Sequence, residues 1–253
     1  MVKVAAFQAP NSRHTVAEAI GIIRDAVICC ERESVDILCT PEGFLGGLAD
    51  YAERPVNLAI DVANGELETI LSPLASDTVA VIVCFTEVNG EKLYNSAAVY
   101  YRGEVVGIYR KLRPAIRRSI YTAGEELPVF DVKDTKFGIQ ICNDSNFPEQ
   151  TAKLAACGAK ILFIPSNNAL PHAKADVVTL AREVDRSLAV NNSLYVVRAD
   201  VTGRRDDFTA YGTSKIIDPA GTILSEAAMF KVDLMYAMAA NDSPRVTLPR
   251  GSD

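Results

Sequence analysis

The sequence predicts a layered α/β fold in which helices cover the outer faces of β-sheets. Continuous apolar runs such as residues 79–85 show no alternation of polar and apolar side chains, which is typical of strands buried on both faces. Other segments form hairpins, and the predicted strands alternate with amphipathic helices through much of the chain. Buried strands mixed with hairpins and helices favour sheets packed between helical layers.

The first half of the chain contains several strands that end in polar side chains. The predicted strands are residues 2–7, 34–39, 79–85, 93–101 and 105–109. The predicted helices are residues 15–33 and 66–75. Thr15 and Glu18 form a capping box at the start of the first helix. Glu42 follows one strand and Lys111 follows the second strand of the predicted hairpin, so a carboxylate and an ammonium group lie at strand ends.

The second half of the chain repeats this succession of strands and helices. The predicted strands are residues 129–132, a run that leads into Cys142, residues 161–164, residues 194–198 and a hairpin at 213–223 with a Pro-Ala-Gly turn. The predicted helices are residues 148–157 and 174–191. From residue 229 onward no clear pattern is present.

Cys142 lies where an alternating apolar run ends in a small polar turn, before a helix that starts at Pro148. Most cysteines in soluble proteins are small core hydrophobes. This turn, however, places the thiol beside the N–H groups of a helix start, which favour negative charge and therefore the thiolate. A cysteine nucleophile needs such an environment, and Glu42 and Lys111 are a candidate base and a candidate cation.

Composition limits the domain organisation and the partners. The 253 residues are 49 % hydrophobic and contain no linker-like segment, so we expect a single domain over residues 1–253. The net charge of −6, with no cluster of Lys and Arg beyond residues 110–118, argues against nucleic-acid and membrane surfaces and favours small-molecule partners. The N-terminus lacks the apolar stretch of a signal peptide, so we expect a cytoplasmic protein.

The cysteines and histidines do not predict a metal site. The six cysteines lack the regular spacing of a disulfide framework and include no CxxC pair, so we expect reduced thiols. The two histidines, His14 and His172, form no ligand pattern with cysteine or carboxylate side chains. We therefore expect no zinc.

Several short motifs follow one another along nearly the whole chain. They are Pro-Glu-Gly-Phe at residues 41–44, Tyr-Asn-Ser-Ala at 94–97, Tyr-Arg-Lys at 109–111, Gly-Ile-Gln-Ile-Cys-Asn-Asp at 138–144, Phe-Pro-Glu at 147–149 and Asp-Pro-Ala-Gly at 218–221. In this order they resemble the nitrilase superfamily of carbon–nitrogen hydrolases. The resemblance implies a four-layer α-β-β-α sandwich that assembles as a homodimer or a higher homo-oligomer.

The resemblance also implies a catalytic role for Glu42, Lys111 and Cys142. Cys142 would attack a non-peptide amide or N-carbamoyl carbon and form a thioester, with release of ammonia or an amine. Glu42 would act as general base and acid, while Lys111 and the backbone N–H of Asn143 would stabilise the oxyanion. Asn143-Asp144 resembles amidase branches more than true nitrilases, so we expect a small-molecule amide substrate. No metal or organic cofactor is implied.

One departure from the family pattern leaves alternatives open. The second glutamate of the superfamily would fall near Arg117 or Arg118, while Glu125 and Glu126 lie past the matching turn. Arg118 is a candidate for binding a substrate carboxylate, or else a solvated surface charge. The missing glutamate also leaves open a catalytically impaired binding or scaffold protein of this fold, and the thioester alone is compatible with an acyltransferase.

The turn after the strand at residues 161–164 is a further candidate for substrate binding. Ser166 and Asn167 offer hydrogen-bond donors and acceptors to an amide group. The alternative is a turn that satisfies its own backbone.

Overall fold

The computed structural model describes residues 1–115, 119–171 and 177–239, with the side chains of all of these except residue 51 and residues 177–182. In this part of the chain the strands are β1 (Val2–Pro10), β2 (Ile37–Cys39), β3 (Ala59–Asp61), β4 (Ala80–Asn89), β5 (Lys92–Tyr101), β6 (Glu104–Arg110), β7 (Val129–Val132), β8 (Thr135–Ile139), β9 (Ile161–Pro165), β10 (Leu170–Pro171), β11 (Tyr195–Ala199), β12 (Val201–Arg205), β13 (Phe208–Tyr211), β14 (Lys215–Ile217), β15 (Ile223–Glu226) and β16 (Asp233–Ala239). The α-helices are α1 (Val16–Arg32), α2 (Glu66–Leu71), α3 (Pro148–Ala156) and α4 (Val177–Asn192). Short 3₁₀ helices cover Ala49–Tyr51, Pro55–Leu58, Ser72–Leu74 and Cys142–Asn146.

The strands form two sheets. The larger has the order β10-β13-β12-β1-β2-β4-β5-β6, with β16 also paired to β1 and β3 to β4. The smaller has the order β15-β14-β11-β9-β8-β7. Parallel pairs such as β1–β2, β2–β4, β8–β9 and β9–β11 occupy the middle of each sheet. Antiparallel pairs such as β5–β6 and β7–β8 extend the sheets toward their edges.

Three buried apolar clusters separate four layers. The central cluster lies between the two sheets and includes Ile82 from the larger and Phe163 from the smaller. A second cluster packs α1 and α2 against the other face of the larger sheet, and a third packs α3 and α4 against the smaller one. The predicted four-layer α-β-β-α sandwich is confirmed.

β4 shows why the central strands have continuous apolar sequences. Ile82 points into the cluster between the sheets, whereas its neighbour Val83 points into the cluster under α1 and α2. Successive side chains of a strand face opposite sides, and here both sides are covered. In β4 the polar residues Thr86, Glu87 and Asn89 therefore come only after the apolar run, toward the C-terminal end of the strand.

The capping box of α1 forms as predicted. Thr15 Oγ1 accepts a hydrogen bond from the Glu18 N–H at 3.3 Å, and the Glu18 carboxylate accepts one from the Thr15 N–H at 2.8 Å. Two N–H groups that the helix itself cannot satisfy are thereby paired.

Some element boundaries differ from the prediction. β2 begins at Ile37 rather than residue 34, because Ser34 adopts a left-handed φ of 55° in the turn after α1. α2 ends at Leu71 and continues only as a 3₁₀ turn that contains Pro73, which has no N–H to extend the helix. The predicted start of the fourth helix at residue 174 lies outside the described residues.

β16 has no clear signal in the sequence, yet it pairs antiparallel with β1 from Val2 to Gln8. Its exposed face carries Tyr236 and Met238, so the strand lacks the polar and apolar alternation expected when one face is solvated.

In the described part of the chain, no helix combines the length and apolar character needed to cross a membrane.

Candidate active site

Glu42 and Lys111 form a buried ion pair at the ends of two segments of the larger sheet. Lys111 Nζ donates to Glu42 Oε1 at 2.5 Å, and each side chain is only 4 % exposed. Asn95 Nδ2 donates to the same carboxylate oxygen at 2.8 Å, and the Asn167 N–H donates to Oε2 at 3.2 Å. Both carboxylate oxygens are hydrogen-bonded, as a buried charge requires.

The backbone around each partner explains its position. Gly43, directly after Glu42, has a φ of +59°, and a Cβ there would lie 2.6 Å from Leu48 Cδ2, so any other residue would be strained and would have to displace the Leu48 side chain. The Lys111 N–H donates to the Asn95 carbonyl at 2.8 Å. Asn95 thus holds Lys111 through its backbone and Glu42 through its side chain.

Cys142 is the first residue of the 3₁₀ turn that follows β8 in the smaller sheet. Its φ of +48° lies in the left-handed region, where a non-glycine residue loses about 1–2 kcal/mol. The sulfur lies 3.8 Å from Asn168 Oδ1 and also interacts with the Asn167 N–H. Because the same N–H bonds Glu42, the turn after β9 places the thiol next to the Glu42–Lys111 pair.

Asp144 ties the cysteine turn to the Lys111 segment. One of its carboxylate oxygens accepts the Ile141 N–H at 3.0 Å and the Tyr109 hydroxyl at 2.7 Å, and the other accepts the Arg113 N–H at 2.7 Å. Tyr109 and Arg113 lie on either side of Lys111 in the chain. A single buried carboxylate therefore fixes the two segments relative to each other across the interface between the sheets.

Asn168 is held so that its carbonyl oxygen faces the sulfur. Its Nδ2 donates to Asp200 Oδ2 at 3.0 Å and to Thr213 Oγ1 at 3.3 Å, while its backbone N–H donates to Asp200 Oδ1 at 2.9 Å. The Asp200 carboxylate can only accept hydrogen bonds, so it requires the NH2 group of the Asn168 amide on its side. The amide therefore cannot turn its nitrogen toward Cys142 without losing these bonds. The S–H group of Cys142 donates to Oδ1.

Burial, and after it the Glu42 carboxylate, raise the pKa of Cys142 to about 12, although Lys111, Arg198 and the Asn167 N–H act in the opposite direction. The group at rest is therefore a thiol. The expectation that helix-start N–H groups would favour a thiolate is wrong for the protein without substrate, because the loss of hydration and the adjacent carboxylate dominate.

Burial opposes the charge of Lys111, but the negative charge of Glu42, its hydrogen bond to Lys111 and the negative charge of Asp144 raise the Lys111 pKa above its ordinary value. Lys111 is an ammonium group at neutral pH. It carries the positive charge that a developing oxyanion needs.

Ser166 is fully buried and bonded inside the protein. Its hydroxyl donates to the Ile164 carbonyl and accepts from Arg198, whose guanidinium also pairs with Asp185 and donates to Ser145 Oγ at 3.2 Å. Ser145 Oγ in turn donates to the Cys142 carbonyl at 2.7 Å. Ser166 is thus part of the support beneath the cysteine turn.

The other predicted substrate-binding residues have different surroundings. Asn143 Nδ2 donates to the Arg113 carbonyl at 3.1 Å, and Asn143 Oδ1 accepts from Asn146. Asn167 contacts Glu42 and lines a cavity of about 700 Å³ beside it. Arg118 and Arg117 lie outside the described residues.

Glu125 and Glu126 do not take the place of the second glutamate. They line a different cavity of about 310 Å³, together with Arg110 and Tyr94. Among the side chains that the structure describes, the hydrogen-bond acceptor of Lys111 Nζ is Glu42. Within the same ranges, no group of three or more His, Cys, Asp or Glu side chains is arranged to hold a metal ion.

Sequence reasoning missed the residues that hold the central three. Asn95, Asp144 and Asn168 all lie within or next to the motifs quoted above, so their position in the sequence was available as a signal. Their partners were not, since Asp144 and Tyr109 are 35 residues apart and Asn168 and Asp200 are 32 apart.

Comparison with known proteins identifies the family. The carbon–nitrogen hydrolase family model matches residues 3–243. A nitrilase from Pyrococcus abyssi is 32 % identical over 238 residues, which cover 90 % of this chain and 86 % of that protein. An (R)-stereoselective amidase from Pseudomonas sp. is 28 % identical over 211 residues, which cover 82 % of this chain and 74 % of that protein.

Solved structures share the fold. One is a mutant of the amidase from Nesterenkonia sp. AN1 with the acetamide moiety of fluoroacetamide covalently added at its active-site cysteine. It superimposes with a TM-score of 0.77 at 20 % identity, covering 95 % of this chain and 90 % of that one. With the family model spanning nearly the whole chain, the predicted family is confirmed: the protein belongs to the carbon–nitrogen hydrolases of the nitrilase superfamily.

Proposed function

We propose that the protein is an amidase-type hydrolase that cleaves a non-peptide amide or N-carbamoyl bond through a thioester on Cys142. The observation that carries the proposal is the buried Glu42–Lys111 pair, joined to the cysteine turn by Asn167. An acid–base group, a fixed cation and a thiol in one enclosed site are the components of acyl transfer.

In the first step the Cys142 sulfur bonds to the amide carbonyl carbon while Glu42 accepts the S–H proton. The raised pKa of the thiol suits this order, because proton removal then accompanies attack rather than preceding it. Negative charge develops on the carbonyl oxygen, where Lys111 and the Asn143 N–H stabilise it. Loss of one such donor raises the barrier by about 3–4 kcal/mol.

In the second step the carbon–nitrogen bond breaks and Glu42 gives its proton to the leaving nitrogen, so ammonia or an amine departs. Glu42 then takes a proton from water as the water oxygen attacks the thioester carbon. The carbon–sulfur bond breaks, the proton returns to sulfur, and the carboxylic acid product leaves. Each proton that Glu42 accepts is returned within the cycle.

The Asn143-Asp144 sequence favours an amide over a nitrile, because it resembles amidase branches more than true nitrilases. The relatives include both a nitrilase and an amidase, so the ammonia assay below compares the two substrate classes directly.

The test is release of ammonia from small amides, N-carbamoyl compounds and the matching nitriles. We expect ammonia from amides with the native protein and none with Cys142→Ala. Cys157→Ala, which removes an exposed thiol, is the control and should leave the rate unchanged. Equal ammonia release by the native protein and Cys142→Ala would reject the mechanism.

The same assay separates the two alternatives. Added hydroxylamine measures how the thioester partitions between water and an amine acceptor: hydroxamate formation together with little hydrolysis in the absence of hydroxylamine would support an acyltransferase. If no amide is turned over and no acyl adduct forms on Cys142, the binding or scaffold function is supported instead.

A further inference from the structure

The cavity beside Glu42 has two contrasting walls. It measures about 700 Å³ and touches the candidate site through Gly43 and Asn167. Phe44, Leu48 and Leu58 supply apolar surface. The segment after β1 and the β12–β13 hairpin supply polar groups, so a bound molecule would meet an apolar side and a polar side.

Two donors on the polar side have no acceptor among the described residues. Asn11 is 7 % exposed, and its Nδ2 makes no hydrogen bond to the described part of the protein. The Nε atom of Arg205 is buried too, although the whole side chain is 31 % exposed, and it makes no hydrogen bond there either. Both residues line the cavity, and the Asn11 N–H donates to the Thr202 carbonyl of β12 at 2.7 Å, which ties the two segments together. A buried donor without an acceptor is unfavourable, so a ligand acceptor would be bound well here.

The neighbouring charges do not satisfy these donors. Asp206 Oδ2 forms ion pairs with Arg205 Nε at 3.9 Å, which is beyond hydrogen-bond distance, and with Arg13 Nη2 at 3.5 Å. The Asp206 side chain is 64 % exposed, and Glu53 on the rim is exposed as well. Both carboxylates are therefore hydrated. Asn11 Nδ2 and Arg205 Nε therefore remain as buried donors on this wall that lack a hydrogen-bond acceptor among the described residues.

From this wall we infer that the substrate carries a carboxylate at the end remote from the scissile amide. Asn11 Nδ2 and Arg205 Nε bind that carboxylate, while the carbon chain lies against Phe44 and Leu48. The inference rests on the proposed function and narrows its substrate class to small carboxylated amides. It assigns an anion-binding role to Arg205, whereas the candidate from the sequence was Arg118, which lies outside the described residues.

The test compares amides of equal size and different charge. Succinamate is matched to its neutral ketone analogue levulinamide, in which a methyl group replaces one carboxylate oxygen. We expect the native protein to have a kcat/KM at least about tenfold higher for succinamate, as for one charge-assisted hydrogen bond. Arg205→Gln should remove most of this preference, and Asn11→Asp, which sets a carboxylate in the place of the amide, should reverse it.

Arg204→Gln is the matched control. It removes the same charge from the adjacent residue, whose exposed guanidinium stacks over Phe230 and does not line the cavity. The preference for succinamate should stay within about twofold of the native value, since exposed charges outside a site act weakly. If Arg205→Gln and Arg204→Gln lower the preference equally, the effect is one of general charge and the subsite is wrong.

A binding measurement separates the subsite from the reaction. Titration calorimetry with Cys142→Ala should show tighter binding of succinamate than of levulinamide, and Arg205→Gln in that background should abolish the difference. Turnover of amides with no preference for the charged substrate would contradict the proposed subsite but not the proposed hydrolase activity. Binding that depends on Arg205, without turnover of any amide, would contradict the hydrolase activity but not the subsite.

Discussion

Glu42 Oε1 lies 2.5 Å from Lys111 Nζ, so Cys142 faces both a carboxylate that raises its pKa and an ammonium group that lowers it. Burial is the larger cause of the raised pKa, the carboxylate adds to it, and the net result is a protonated thiol. The charge on Glu42 is therefore one of the factors that set the reactivity of the sulfur.

Glu42→Gln should make Cys142 more reactive toward iodoacetamide while abolishing amide turnover. Removal of the carboxylate lowers the thiol pKa from about 12, and each unit of decrease gives about tenfold more thiolate at pH 8. The rate of alkylation at Cys142 is measured by peptide mass spectrometry, with exposed Cys157 in the same molecule as reference.

Glu87→Gln is the control for that experiment. It also converts a buried carboxylate to an amide, but its partners are Arg110 and Ser96. Alkylation of Cys142 should not change in this variant. A rate in Glu42→Gln at or below the native rate would mean that Glu42 does not control the thiol.

Asp144→Asn should weaken both stability and catalysis. The substitution replaces one carboxylate oxygen by an NH2 group, so the side chain can no longer accept from Ile141 and Tyr109 on one side and from Arg113 on the other at the same time. We expect the free energy of unfolding in urea to fall by about 2–4 kcal/mol, since hydrogen bonds to charged groups are lost. We expect kcat to fall about a hundredfold as the cysteine turn loses its fixed distance from Lys111.

Tyr109→Phe removes only one of these bonds and should have a smaller effect on both quantities. If Asp144→Asn loses stability but keeps native kcat at a temperature where it is folded, the carboxylate supports the fold without positioning the nucleophile.

The three candidate catalytic residues could be predicted because each follows an apolar strand: Glu42, Lys111 and Cys142. The order of the motifs along the chain indicated that they belong to one site. The residues that bring them together could not be predicted, because a hydrogen bond such as that of Asn95 to Glu42 joins segments 53 residues apart. The sign of the Cys142 shift was also missed, since loss of hydration depends on how fully the turn is buried.

The fold shows the same limit. The capping box of α1 is local in sequence and formed as predicted. β16 is defined by its pairing with β1, and the sequence of β16 alone shows no regular alternation of polar and apolar residues that would predict a strand. Boundaries moved where one residue adopts an unusual backbone, as at Ser34.

Arg198→Met should destabilise the protein by about 3–5 kcal/mol, because it leaves the buried Asp185 carboxylate without its guanidinium partner. Lys215 Nζ, at 3.5 Å, is the other cation described next to that carboxylate. The free energy of unfolding in urea is the measurement. Adding Asp185→Leu to Arg198→Met should restore part of the loss, and an additive second loss would contradict the pairing.

The central claim is that Glu42, Lys111 and Cys142 act as one acyl-transfer site, and the acyl-enzyme tests it most directly. Native protein mixed rapidly with a small amide and quenched in acid should carry the acyl group on the Cys142 peptide, at a mass that lacks the leaving amine. Lys111→Met should accumulate this adduct at least about a hundredfold more slowly, because the oxyanion loses its cation. Ammonia release from native protein with no acyl group on Cys142, or with the group on another residue, would contradict the account.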